Sequence, residues 1–280
     1  MDENLLAAAV VLRFYEELDS PFIDTPSDVA TRGLQVFIEA QASLALASSG
    51  LRCAAFWVGF RQEFHMAFSQ QRSFRLPLEI CDAYLSWDPA PDHVIVNRLL
   101  IIAARIIQYC YDGQRQQTRP RYDELMALYN RWLETRPIAF SPIYSDQLDQ
   151  GTGFIFPQKW FLKDCHVVAA QSVGLVDIMI TAYNPTVARI GPGQKSAMQS
   201  IDTKLKSAVL DICGIALSNR QEPTALLTAC FSIAICGDRF TDRIEQDALM
   251  DIVMNTVRDI NYWPSNALGE KLRKTWGWES

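Results

Sequence analysis

Apolar side chains recur along this chain at the pitch of an α-helix, and the stretch from Leu210 to Met254 shows the period most plainly. It reads as the end of one helix, a complete second helix TALLTACFSIAIC, and most of a third. Asn219 and Pro223 punctuate the first junction, Gly237 and Asp238 the second. The middle helix is apolar on nearly all sides, which marks a buried element. The third is predicted to open at Thr241 or Asp242, with Glu245 at the spacing of a capping box. Leu249, Ile252, Val253, Thr256 and Ile260 then make its inner face, and Arg243, Asp247, Asp251 and Arg258 its wet one.

Upstream, the same period predicts a helix from Leu5 to Leu18 with an inward stripe of Leu6, Val10, Phe14 and Leu18. A second starts near Ser27 or Asp28 and stops at Gly50. Leu51 to Gln70 carries Cys53, Trp57, Phe60, Phe64 and Phe68 on one face, the pattern of a core-facing helix. A short helix is expected over Pro77 to Trp87. A strong one runs from Pro91 and Asp92 to Gly113, and after the polar connector QRQQTRPR an amphipathic one runs from Tyr122 to Thr135. Residues 136–157 have no period and several prolines, glycines and aromatics, so they are expected to line a cavity or act as a lid. A long helix from Pro157 to Tyr183 follows, with Phe161, Cys165, Val168, Ser172, Leu175, Met179 and Ala182 on its inner face and His166 near the opposite side. Ala197 to Leu217 and a short closing helix in NYWPSNALGEKLRKTWGW complete the pattern, the last with two tryptophans expected to dock. No strand signal stands out. The expected architecture is all-α: a single domain over residues 1–280, with about ten helices in antiparallel hairpins around a buried central helix.

Composition narrows the function classes. The 280 residues are 49% hydrophobic, ample for a core, and carry a formal charge of -6 with a pI near 5.2. That balance argues against direct nucleic-acid binding by this chain, which needs clustered Lys and Arg. The start Met1-Asp2-Glu3 lacks the basic region of a signal peptide. Arg98 and Arg105 interrupt the apolar run at 94–110, and Gln171 and Asp177 the one at 167–183, so no membrane span is expected. The seven cysteines are scattered within apolar helical patterns and read as reduced core residues. No pair has C-x2-C spacing, so no metal site and no cofactor is expected.

Few residues carry a chemical signal. Arg61 and His65 sit four apart on the shoulder of the aromatic stripe, where they could form a boundary ion pair with Glu63, Glu79 or another acid, or anchor a ligand at the rim of a pocket. With Trp57 and Trp160 they form the candidate ligand-binding set; no catalytic residue is assigned. Cys165 and His166 are adjacent but about 100° apart around a helix, so they do not make a dyad. Asp238, Asp242 and Glu245 fall at i, i+4 and i+7. Capping explains them, and on one continuous helix they could instead hold Mg2+.

The segments LRCAAFWVGFRQEFHMAF, FSPIY, FPQKWFLKDCHVVAAQ, CGIALSNR, CGDRFTDRIEQDALMDI and LRKTWGW, in this order, resemble the fungal-specific regulatory domain, the middle homology region, of zinc binuclear cluster transcription factors. The resemblance covers nearly the whole chain. It implies binding of a small apolar effector in an internal cavity, intramolecular control, and contact with protein partners or a second copy, in nucleus or cytoplasm. The chain departs from that family in one respect: no cysteine precedes Cys53, so the six-cysteine DNA-binding module is absent. It is expected to be either part of a longer regulator or a stand-alone relative. The alternative expectation is an all-helical enzyme on an apolar metabolite, such as a Mg2+-dependent terpenoid cyclase using Asp238, Asp242 or Glu245.

Overall fold

Leu6 and Val10 are buried along the first helix, α1 (Glu3–Asp19), which packs against α2 (Leu51–Ser69). The structure, a computed structural model, describes residues 3–19, 45–46, 49–113, 117–146, 155–188, 190–260 and 264–278. The helix expected from Ser27 or Asp28 to Gly50 lies almost wholly outside the described residues. On α2, Trp57, Phe60, Phe64 and Phe68 are all buried, as the period predicts. Phe14 is a departure: it is 43% exposed, because α1 rests on α2 by its Leu6 and Val10 edge.

The other described helices are α3 (Asp92–Tyr111), α4 (Arg119–Thr135), α5 (Asp164–Ala182), α6 (Gln194–Ser218), α7 (Pro223–Cys236), α8 (Arg243–Ile260) and α9 (Pro264–Thr275). The fold is all-α, with one small two-stranded antiparallel sheet of β1 (Tyr144–Asp146) and β2 (Gln158–Trp160). At the centre, α5 packs against α3, α6 and α7. Buried Gln171 on α5 donates from Nε2 to the carbonyls of Ile212 (3.1 Å) and Ala225 (3.0 Å), tying α5 to α6 and α7. A buried amide pays its desolvation penalty only through such bonds. One continuous apolar core runs from α1 to α9.

Boundaries differ where local chemistry outweighs periodicity. Helix α4 starts three residues early, at Arg119, because Thr118 caps it and Pro120 occupies its first turn. Residues 79–84 form a 3-10 rather than an α-helix, and Ile138–Phe140 adds another 3-10 turn to a segment expected to be irregular. The largest correction is at Pro157, the predicted start of α5. Residues 158–160 are strand instead, and α5 opens at Asp164. The cause lies at the end of α6. There Asn219, fully buried, accepts from the Phe161 amide (3.1 Å) and donates to the carbonyls of Lys159 (2.7 Å) and Ile215 (2.8 Å). Lys159 Nζ reaches Asp211 (2.9 Å), and a Cβ at Gly214 would stand 2.0 Å from the Pro157 carbonyl oxygen. Two sequence segments, FPQKWF and CGIALSNR, are thus locked to each other: Gly214 permits the approach and Asn219 fixes the strand.

Against expectation, α3 and α5 are both long and apolar enough to cross a membrane by length and composition. In the fold they are core helices, with 78% of the apolar window of α3 and 50% of that of α5 buried. Arg98 of α3 donates to the Asp88 carbonyl (2.8 Å), and Arg105 pairs with Asp82. At the far end, Trp276 and Trp278 dock as predicted, their indole N–H groups donating to the Gly237 carbonyl and to Gln246 Oε1, each at 2.9 Å. The inner and outer faces read for α8 hold for Leu249, Ile252, Val253 and Thr256 against Arg243, Asp247, Asp251 and Arg258; the Ile260 side chain lies outside the described residues.

Candidate functional site

Between α1, α2, α5 and α7 lies a groove of about 460 Å³. Its walls are mostly apolar, with Val10, Phe14, Val58, Met66, Leu227 and Phe231 among them. The periodicity that buries Trp57, Phe60 and Phe64 on one side of α2 leaves Val58, Arg61, Gln62, His65 and Met66 for the other. Helix α7 supplies the facing wall and Glu222 at its mouth. The volume falls in the range of roughly 300 to 1,000 Å³ common for small-molecule sites.

Four polar groups shape the groove. The His65 ring stacks on Phe231 with centroids 5.1 Å apart, and burial, helped by the nearby Arg61 charge, pushes its pKa down to about 4. It is therefore neutral near pH 7. Burial also lowers the Arg61 guanidinium from its ordinary value, while the Glu222 carboxylate acts the other way. Glu222 caps α7, its Oε1 accepting from the Thr224 amide (3.1 Å) and hydroxyl (2.5 Å). Gln62 donates to the Val10 carbonyl (3.3 Å), while its own buried Oε1 meets no hydrogen-bond partner among the described residues.

The sequence-derived set divides. Arg61 and His65 both line the groove. The ion pair with Glu63 does not form, because Glu63 lies on the other side of α2 and is held by Arg13 (2.9 Å) and Arg72 (2.5 Å). Trp57 lies outside the groove lining: it is core, 5.0 Å from Tyr84 and 5.3 Å from Phe60 between ring centroids. Trp160 is 46% exposed on β2 opposite Tyr144. Sequence reading missed the groove's partners on α1 and α7, since which helices face each other is not written in a helical period.

A second, more polar cavity of about 310 Å³ sits under the β1–β2 pair. Phe140, Pro142 and Ser145 help to line it, so the described part of 136–157 does border a cavity; residues 147–154 lie outside the described residues. Asp177 faces it with a carboxyl raised by burial, accepting from the Tyr129 hydroxyl at 2.9 Å.

His166 corrects another expectation. It is 0% exposed, packed on Phe140 at 4.5 Å between centroids, with Nε2 3.1 Å from Asp92 Oδ2. The helix around it is buried on more than one side, so no wet face exists where the period places one. Ligand atoms of Asp92, Cys165 and His166 all lie within 4.8 Å of one another, the single such trio among the described residues. Their chemistry suits a borderline divalent ion. Lys163 already neutralises Asp92 at 2.6 Å, and burial raises the Cys165 thiol away from the thiolate a metal needs. The acids of the cyclase alternative do not converge. Asp242 accepts from the amides of Ile244 (2.9 Å) and Glu245 (3.1 Å) as a cap, and Asp238 and Asp242 are exposed.

Compared with known proteins, the chain matches no protein-family model, no curated protein and no solved structure.

Proposed function

We propose that this chain is an all-helical ligand-binding domain that takes a small apolar molecule into the groove between α1, α2, α5 and α7. More particularly, it is the effector-sensing regulatory domain of a fungal zinc-cluster transcriptional regulator, or a stand-alone relative without the zinc module, acting in nucleus or cytoplasm. The groove of about 460 Å³ is the observation that carries this reading. The resemblance of the chain's ordered segments to the fungal regulatory domain supports the narrower one. A ligand bridging four helices binds best to the arrangement that seats it, and so shifts the population toward that arrangement. Val11, Leu12 and Tyr15, exposed along α1, support contact with a protein partner or second copy at the groove's edge.

The test is thermal unfolding of the chain with a panel of small apolar compounds. A compound at a hundred times its dissociation constant stabilises by about 2.7 kcal/mol. At least one is expected to raise the midpoint, and Leu227→Trp, which fills the groove, is expected to abolish the shift. No shift with any compound, or a shift that survives Leu227→Trp, contradicts the reading.

A further inference from the structure

The arginines packed around α2 and α3 are answered by the fold, with one exception. Arg13 and Arg72 share Glu63, Arg98 donates to the Asp88 carbonyl, and Arg105 pairs with Asp82. Arg61, part-buried in the groove wall, has no hydrogen bond or ion pair among the described residues. Glu222 is the nearest influence of opposite sign, but its carboxylate is engaged in capping α7 and stays beyond ion-pair distance. A guanidinium carries five N–H donors in a planar fork, and holding it away from water without acceptors is costly.

We infer that the groove's ligand is an amphipathic monocarboxylate, its apolar tail among Val58, Met66, Leu227 and Phe231 and its carboxylate on Arg61. This rests on the ligand-binding reading and names the chemical class that reading leaves open. The planar fork matches a carboxylate in two-point contact. A cationic head is disfavoured, since Arg61 in the groove wall would repel it. A dianion such as a phosphate monoester is disfavoured too, since its second charge would meet Glu222 without a further cation. His65 is neutral and leaves the single positive charge to Arg61.

Isothermal titration of the full chain with decanoate, methyl decanoate and decyl alcohol tests this. Decanoate is expected to bind at least about tenfold tighter than the two neutral probes, the scale of a charge-assisted bond. Arg61→Met, which breaks no hydrogen bond or ion pair among the described residues and should melt at or above the wild-type temperature, is expected to bring decanoate to the level of the alcohol. Arg61→Lys should keep part of the preference, and Leu227→Trp should lose all three probes. Equal affinity for acid and alcohol in the wild type, or a preference that persists in Arg61→Met, overturns the carboxylate inference and leaves the groove reading standing. No binding of any probe, or binding unaffected by Leu227→Trp, overturns the groove reading and the inference with it.

Discussion

Replacing Glu63 with glutamine is expected to loosen α1 from α2, and the size of the effect follows from what the carboxylate holds. Glu63 is 2% exposed and accepts from Arg13 Nη2 (2.9 Å), Arg72 Nη1 (2.5 Å), Arg72 Nη2 (3.0 Å) and the Arg75 amide (3.1 Å). Glutamine keeps the volume but removes the buried negative charge that Arg13 and Arg72 share. Breaking a buried pair costs about 3–5 kcal/mol, and because Arg72 keeps some access to water the low end applies, about 3 kcal/mol. In a chain of this size that lowers Tm by roughly 6–12 °C. The pH dependence gives a second handle. Burial pushes the Glu63 carboxyl up, but Arg72 and Arg13 together outweigh it and hold the group below its ordinary value. The stabilisation is therefore full above the unfolded-state value of about 4.5 and is lost as pH falls through the lower folded-state value. Urea unfolding of wild type and Glu63→Gln at pH 7 and in acid, followed by circular dichroism, should show a gap that closes on acidification. A gap under about 1 kcal/mol at pH 7, or one that widens in acid, refutes the reasoning.

Two further outcomes follow from the groove and from the α6 junction. His65, with its folded-state pKa depressed to about 4 against 6.5 unfolded, contributes stability that is full above 6.5 and lost as pH falls toward 4. Because the ring is partly exposed the full shift is discounted, and wild type should lose about 2 kcal/mol relative to His65→Gln across that window; parallel stability curves would exclude it. Gly214→Ala should cost about 2–3 kcal/mol, since its Cβ would meet the Pro157 carbonyl oxygen at 2.0 Å and backbone must move. Proteolysis between 155 and 163 should quicken in that variant, and an unchanged melting point would show that the close approach does not exist.

Much of the fold was legible because helices announce themselves by period. The α2 stripe, the buried α7, the two faces of α8 and the docking tryptophans all follow from which residues recur at helical spacing. Errors arose where a long-range contact overrode a local preference. Pro157 looks like a helix start, but Asn219, some sixty positions on, holds residues 159–161 extended (60 to Lys159, 58 to Phe161). His166 falls where the period places a wet face, but α3 brings Asp92 over it. The candidate site was half legible for the same reason. Arg61 and His65 stand on the shoulder of α2, so their placement follows from one helix. The period of α2 sets Trp57 apart by turning it to the core, whereas Trp160 is set apart only by the strand at 158–160, which one helical period does not foretell.

The central claim is that the groove between α1, α2, α5 and α7 receives a ligand, and methionine methyl resonances test it most directly. Met66 lines the groove, Met198 is exposed on α6, and Met250 packs beside Gly269 between α8 and α9. With methyl-labelled methionine, titration of an amphipathic acid such as decanoate should shift the Met66 signal in a saturable way and leave Met198 and Met250 in place. A Met66 signal that stays fixed while another methionine shifts, or while none does, contradicts the account.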